Sequence, residues 1–83
     1  MYTQQELLER ITARQDVFGG KPIIRDMRIS VRLILSLLSQ GVSQEDILDD
    51  YPDLEPDDIR ACIAYACAVI SGDTLAAISV DGS

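Results

Sequence analysis

The sequence predicts a mainly α domain in which three helices form a small helix-turn-helix-like bundle behind a short N-terminal β-hairpin. Apolar residues recur at helical spacing over residues 31–38 and again over residues 59–70. Helix caps and helix breakers separate these stretches, and short β-branched segments bounded by turn residues precede them. With 83 residues, the chain is expected to be a single domain. Its parts are a hairpin region at 11–30, a tri-helical core at 31–72 and a tail at 73–83.

The first elements are short. Residues 3–6 read Thr-Gln-Gln-Glu, which fits a capping box and predicts a helix over 4–10. A brief strand is expected at 11–13. Residues 23–25 and 27–29 look like two further strand segments around a tight turn. Together these segments would make a minimal sheet, which needs packing against helices to be stable.

The first helix of the bundle begins after Ser30, which is a good N-cap residue. Gly41 is expected to end it in the left-handed conformation, so that Val42 folds back onto Leu37. The second helix is then predicted over residues 44–50, with Ser43 as its cap.

The third helix is the longest. The stretch 51–54 contains Pro52 and interrupts the helical pattern, because the residue before a proline disfavours helix. Pro56 suits the first helical position, with Glu55 as the cap residue. The pattern continues to Gly72. For residues 75–80, the sequence leaves open a continued helix, an edge strand or a loose segment.

Charge is unevenly distributed along a chain of net charge −7. Residues 10–32 hold six basic and two acidic side chains, whereas residues 45–60 hold eight acidic side chains and one basic one. The molecule is therefore expected to be a charge dipole. This pattern fits either two partner surfaces of opposite sign or merely solubility and helix capping.

Helix-turn-helix proteins read DNA with their second helix, but the third helix here is a poor candidate for that role. Its exposed face would carry two carboxylates, which phosphate repels, and alanines, which read no bases; the residues are Asp57, Asp58, Arg60, Ala61, Ala64 and Ala68. If the chain binds DNA, the hairpin and the start of the next helix should supply the cations, which are Lys21, Arg25, Arg28, Arg32 and Arg14. The alternative is that these residues pair with the acidic segment.

The acidic segment lacks the ordered Asp spacing, central glycine and final glutamate of a calcium loop. No metal site and no cofactor are therefore predicted. An acidic surface could instead attract a basic protein, and the residues proposed for it are Glu45, Asp49, Asp50 and Asp53.

Catalysis is not expected. The chain has no histidine, which excludes Ser-His and Cys-His pairs. Residues 19–22, Gly-Gly-Lys-Pro, have the wrong spacing for a phosphate-binding loop. Cys62 and Cys67 are expected to be buried, unbridged thiols.

The third helix is rich in alanine and nearly uncharged after its first turns, and 47% of the chain is apolar. This composition predicts a homodimer with contacts at Ala61, Ala64, Tyr65 and Ala68. The run over 61–70 is too short to span a bilayer, which needs about 20 residues. No secretory signal is visible in residues 1–9, so a cytoplasmic location without membrane contact is expected.

Several motifs, taken together, give the chain a resemblance over residues 11–70 to the prokaryotic proteins grouped as domain of unknown function 433. The motifs are Gly20-Lys21-Pro22-Ile23-Ile24-Arg25, Arg28-Ile29 with Val31, Gly41 with Ser43, Tyr51-Pro52 with Leu54, Asp58-Ile59, and Ala64-Tyr65-Ala66. The resemblance implies a homeodomain-like three-helix fold. It also implies an antitoxin role beside ribonuclease toxins of the PIN-domain type.

The chain departs from the family pattern at two places. Asp26-Met27 stand where the family usually has Gly-Thr, and Glu55 replaces the usual threonine cap. Two functional hypotheses follow. The first is an antitoxin-type regulator that binds a toxin protein and its own operator DNA, and the second is a protein-interaction module with no role in nucleic-acid binding.

Overall fold

A computed structural model describes the backbone of residues 3–79 and the side chains of residues 3–72. Four helices and a two-stranded antiparallel sheet make up the described part, which confirms the predicted class of a mainly helical bundle with an N-terminal hairpin. The elements are α1 (Gln4–Leu8), β1 (Ile11–Thr12), a 3₁₀ turn (Phe18–Gly20), β2 (Ile23–Ile24), α2 (Val31–Ser39), α3 (Gln44–Asp50) and α4 (Pro56–Ser79).

Helix α1 has the predicted capping box. The Glu6 backbone N–H donates to the Thr3 hydroxyl at 3.1 Å, and the Thr3 backbone N–H donates to the Glu6 carboxylate at 3.0 Å. The helix ends at Leu8, two residues before the predicted end. The Arg10 carbonyl accepts from the Arg25 N–H at 2.8 Å, so the chain is already extended toward the sheet at that point.

The hairpin differs from the prediction in its pairing. Ile11 lies opposite Ile24, and Thr12 lies opposite Ile23. Residues 27–29 do not form a strand. After the turn that follows β2, the chain pairs with β2 only at an isolated bridge between Ile23 and Ser30. No strand can continue from there, because α2 begins at the next residue.

The helix boundaries of α2 and α3 agree with their predicted signals. Ser30 and Ser43 both accept a hydrogen bond from the third residue of their helix. Gly41 has a φ of 89° and follows the end of α2. The Val42 N–H donates to the Leu37 carbonyl at 3.1 Å, and the Gly41 N–H donates to the Leu38 carbonyl at 3.0 Å, which is the Schellman pattern.

The core lies where α2, α3 and the first turns of α4 meet β2. Its buried members are Ile24, Val31, Ile34, Ile47, Leu54, Ile59 and Cys62. Helix α4 has 24 residues and would be about 36 Å long at the usual rise. It continues past Gly72, where the sequence pattern ended, so the described tail is helical to Ser79. Residues 80–83 lie outside the described residues.

Candidate functional site

A buried carboxylate holds the hairpin against α4. Among residues 3–72, Asp58 is the polar or charged residue that is buried, with 0% of its surface exposed. Its Oδ1 accepts from Arg10 Nη1 at 2.9 Å and from Arg25 Nε at 3.0 Å. Its Oδ2 accepts from Arg25 Nη2 at 2.7 Å and from the Glu55 backbone N–H at 2.8 Å. We refer to Arg10, Arg25, Glu55 and Asp58 as the Asp58 cluster.

The first turn of α4 explains why Asp58 faces inward. Pro56 opens the helix, so Asp58 is its third residue, and a carboxylate there can fold back onto the backbone N–H of the cap residue. This geometry corrects the sequence prediction that placed Asp58 on the exposed face of the helix. Arg10 arrives just before β1 and Arg25 just after β2, and Arg10 also pairs with the Glu55 carboxylate at 2.7 Å.

The backbone of the turn after β2 is strained at Arg25 and at the residue after it. Arg25 and Asp26 have φ values of 44° and 60°, a conformation that costs an L-residue about 1–2 kcal/mol. Hydrogen bonds hold both residues in place. The Arg25 guanidinium also donates to the Asp53 carbonyl at 3.0 Å, and the Asp26 N–H donates to the Thr12 hydroxyl at 2.9 Å.

The cluster sets the ionisation of its members. Burial of the Asp58 carboxyl raises its pKa, but hydrogen bonds from Arg25, the Glu55 backbone and Arg10 outweigh burial, and the net pKa lies below the ordinary value. Asp58 is therefore a carboxylate at neutral pH. Burial, with a smaller contribution from the Asp58 charge, raises the pKa of the Cys62 thiol to about 12, so this cysteine is not a nucleophile.

The five basic residues predicted as a DNA-contacting set divide into two that form ion pairs among the described residues and three that do not. Arg25 is bound to Asp58, and Arg14 pairs with Asp16 at 3.1 Å. All seven basic residues of the chain fall in the described part, and Arg10 and Arg60 also pair with carboxylates. The three that make no ion pair within residues 3–72 are all exposed: Lys21, Arg28 and Arg32.

The four proposed acidic residues are exposed on α3 and in the connection after it; they are Glu45, Asp49, Asp50 and Asp53. Within residues 3–72, no group of three or more His, Cys, Asp or Glu side chains is arranged to hold a metal ion. Because all four acidic residues are exposed, their carboxylates form a solvated acidic surface in the described part of the chain.

Helix α4 corrects two sequence expectations. Ala61 is 0% exposed, so it has no surface left for a dimer contact. It lies one turn after Asp58 and shares the buried side of the helix. Cys67, expected to be buried, is exposed. Of the remaining proposed contacts, Ala64 and Tyr65 are half-buried and Ala68 is exposed.

An open, mostly apolar groove of about 900 Å³ lies between α2 and the middle of α4. We call it the α2–α4 groove. Phe18, Val69 and Ile70, which line it, have 49%, 46% and 59% of their surfaces exposed. Its other lining residues are Lys21, Pro22, Ser30, Val31, Arg32, Leu35, Ser36, Ser39, Tyr65 and Ala66.

A smaller depression lies on another side of α4, against α1. Its lining includes Leu7 from α1 and Ile63, Ala64 and Cys67 from α4. Ile63 is 41% exposed. Helix α4 therefore presents apolar side chains in two directions, a pattern typical of helices that are buried in an assembly.

A protein-family model matches the sequence from β1 to the middle of α4. The model of the family described as "Protein of unknown function (DUF433)" matches residues 11–66. The chain belongs to the DUF433 family. The match includes Arg25, Glu55 and Asp58 of the Asp58 cluster, and it ends before Val69 and Ile70 of the groove.

One relative is a protein of Sinorhizobium fredii (strain NBRC 101917 / NGR234) named "Uncharacterized protein y4eO". It is 33% identical to this chain over 58 residues, which are 70% of the chain. Those residues span only 26% of the relative's own length. No solved structure matches the chain. Within the described residues, none of the helices has the length and apolar character needed to cross a membrane.

The sequence left open that the basic residues pair with the acidic segment, and Arg25 does pair with Asp58. The individual partners in the Asp58 cluster could not be predicted, because their contacts join residues 48 and 33 positions apart. A local signal for part of it was present. Glu55-Pro56-Asp57-Asp58 has an acidic residue three positions after the cap, which is half of a capping box. The arginine partners have no comparable local signal.

Proposed function

We propose that this DUF433 chain is an antitoxin-type regulator that acts by binding a protein partner, and that its partner-binding surface is the apolar side of α4. One observation supports this most directly. The α2–α4 groove leaves Phe18, Val69 and Ile70 about half exposed, whereas the interior around Asp58 is closed. Exposed contiguous apolar surface of this kind marks interaction sites in small proteins.

The charge arrangement supports a protein partner over DNA as the main ligand. Arg25 and Arg14, two of the five candidate DNA contacts, are engaged by Asp58 and Asp16. Phosphate contacts dominate affinity for DNA, so each arginine already paired with a carboxylate weakens that case. The exposed acidic surface of α3, which includes Glu45 and Asp49, would attract a basic toxin protein.

Operator binding is the second candidate function, and one observation favours it. Lys21, Arg28 and Arg32 are exposed and make no ion pair within residues 3–72. A homodimer would double this set of cations. The competing proposal, a protein-interaction module without any role in nucleic-acid binding, predicts no affinity for DNA even at low salt.

The homodimer itself is proposed through the α1–α4 depression, where Ile63, Ala64 and Cys67 lie together and Ala68 follows on the same helix. A cytoplasmic location is proposed with it, since both cysteines are free thiols, as is usual in a reducing compartment.

The decisive experiment is co-expression of the tagged chain with the protein encoded beside it in its own genome, followed by size-exclusion chromatography with light scattering. We expect a stable hetero-complex and loss of the neighbour's toxicity. A neighbour that neither co-elutes nor changes its activity would overturn the antitoxin proposal. Titration of promoter DNA at low and moderate salt separates the regulator from the interaction module.

A further inference from the structure

We infer, resting on the proposed function, that the α2–α4 groove binds one amphipathic helix of the partner protein. The apolar side of that helix would pack on Leu35 and Val69, and its acidic side chains would pair with Lys21 and Arg32. The inference assigns a ligand chemistry to a surface whose lining is mostly apolar and whose charged members, among residues 3–72, are both cations.

The apolar part of the groove is an extension of the core. On α4, Ile59, Cys62, Ala66 and Val69 follow one another at spacings of three and four, so they form one stripe along the helix. The first two are buried in the bundle, and the last two line the groove. Val31 on α2 belongs both to the core and to the groove lining.

Two helices already form the walls of this groove, and the stripe on α4 continues with helical periodicity. An amphipathic helix laid between them would present its own apolar residues at matching spacing, which is a recurring mode of peptide recognition. A flat surface or an extended strand would not follow a stripe of this period.

The charges select the kind of helix. Four of the seven basic residues pair with carboxylates of the chain, and two of the remaining three, Lys21 and Arg32, line the groove. A chain of net charge −7 repels an acidic partner at long range, so local cations are needed to place acidic groups beside it.

The same charges argue against a second copy of this chain as the occupant. Residues 61–72 of α4 contain no charged side chain. The apolar part of α4 from another copy would therefore leave Lys21 and Arg32 without partners. Duplex DNA could satisfy the cations, but it would leave Val69 and Phe18 facing a polar backbone.

The test uses two synthetic peptides of about 18 residues, long enough for a stable amphipathic helix when bound. Both carry leucines at helical spacing; one has glutamates beside the leucines and the other has lysines. The probe is titrated into the full isotope-labelled chain, and binding is followed by amide chemical shifts and by fluorescence anisotropy. We expect the glutamate peptide to bind at least about tenfold more tightly than the lysine peptide. The shifts should cluster at residues 31–35 and 65–70.

Two substitutions and two matched controls locate the site. Val69→Gln removes apolar surface in the groove, and Ile63→Gln does the same in the α1–α4 depression. Arg32→Glu reverses a groove charge, and Arg28→Glu reverses an exposed charge outside the groove lining. Arg32 lies in the first turn of α2, where an acidic residue suits the helix dipole, so the reversal should not unfold the chain.

We expect Val69→Gln and Arg32→Glu each to weaken the glutamate peptide about tenfold, while both controls leave its affinity within about twofold. Equal affinity for the two peptides would overturn the inference, as would shifts centred on Ile63 or displacement of the peptide by duplex DNA. A hetero-complex with the neighbouring protein that withstands both groove variants would overturn this inference and the groove as the partner-binding surface, but it would leave the antitoxin role standing.

Discussion

The first turns of α4 and the turns that follow them differ in what they bury. The first turns bury a charged side chain, whereas the following turns leave apolar side chains exposed. In the first turns, Asp58 is fully buried as an ion, and Ile59 and Cys62 close the core around it. In the following turns no side chain is charged up to Gly72, yet Val69 and Ile70 are 46% and 59% exposed. A single continuous helix therefore buries a charge in its first turn and exposes apolar residues near its middle.

This contrast separates what determines the fold from what is available for binding. A buried ion pair adds little net stability, because desolvation offsets the attraction, but breaking it is costly. The Asp58 cluster thus fixes where the hairpin sits on α4. Val69 and Ile70 lie outside that buried core, and their apolar surface would be removed from water only by a bound partner.

The two cysteines of α4 should differ most strongly, because one is buried in the bundle and the other is exposed. Cys62 is buried, with its pKa raised to about 12, whereas Cys67 is exposed. Labelling with iodoacetamide should modify Cys67 at least about a thousandfold faster, since Cys62 reacts only when the structure opens. Mass spectrometry of timed samples measures both rates. In urea both thiols should react alike, and similar rates in the native protein would show that the core around Cys62 is open.

Removal of the buried carboxylate should have the next largest effect. Asp58→Ala leaves two arginines beside an empty site, and we expect a loss of about 3–5 kcal/mol in the free energy of unfolding. Urea denaturation followed by circular dichroism measures it. Asp53→Ala is the matched control, because the Asp53 side chain is exposed and only its carbonyl contacts Arg25. The control should change stability by no more than about 0.5 kcal/mol, and equal losses would contradict a special role for Asp58.

Acidic pH should lower the free energy of unfolding through the same residue, Asp58. The pKa of Asp58 is lower in the folded chain than the ordinary value near 4 that applies when it is unfolded. The unfolded chain therefore binds more protons at acidic pH. The Asp58 contribution is complete above pH ~4 and is lost as the pH falls through the folded pKa.

Urea midpoints between neutral and strongly acidic pH should fall for the wild-type chain and fall less for Asp58→Asn. The Glu6 and Asp16 carboxyls also have lowered pKa values, through hydrogen bonds from Thr3 and Arg14, and they remain in both proteins. The difference between the two curves thus isolates Asp58. Parallel curves would show that its carboxylate is not linked to folding.

The smallest expected change in stability comes from a substitution in the turn that carries Arg25. Asp26 has a φ of 60°, so Asp26→Gly should relieve backbone strain and raise the stability by about 0.5–1 kcal/mol. Arg25→Gly relieves similar strain but removes three donors to Asp58 and Asp53, so it should be destabilising. Thermal unfolding compares the pair, and a stabilised Arg25→Gly variant would contradict the importance of the ion pair.

Local signals predicted most of the helical framework. The Thr3, Ser30 and Ser43 caps and the Gly41 ending all act within four residues along the chain, and each stands as expected. The pairing of the hairpin strands could not be predicted, because β1 and β2 have two residues each and are too short for an alternating apolar pattern to define their register. The continuation of α4 beyond Gly72 was one of three outcomes that the sequence left open, because a glycine there resembles a helix ending.

The candidate site was predicted only in part. The exposed acidic residues of α3 follow from composition, and so does the cation excess before residue 32. The division of those cations into paired and unpaired sets depends on which of them can reach a carboxylate. Arg14 and Asp16 are two positions apart, but sequence spacing does not encode the contact of Arg25 with Asp58, which lies 33 positions further along. The burial of Ala61 beside the exposure of Ala68 likewise depends on where the bundle ends along α4.

The order of residues in the Asp58 cluster has a consequence for biosynthesis. Translation runs from the N-terminus, so Arg10 and Arg25 emerge from the ribosome well before Asp58 does. Until then, the two guanidinium groups lack their shared acceptor, and Arg25 in the left-handed turn lacks its contacts with Asp53 and Asp58. The hairpin of a nascent chain is therefore completed late, by a residue made more than thirty positions after it.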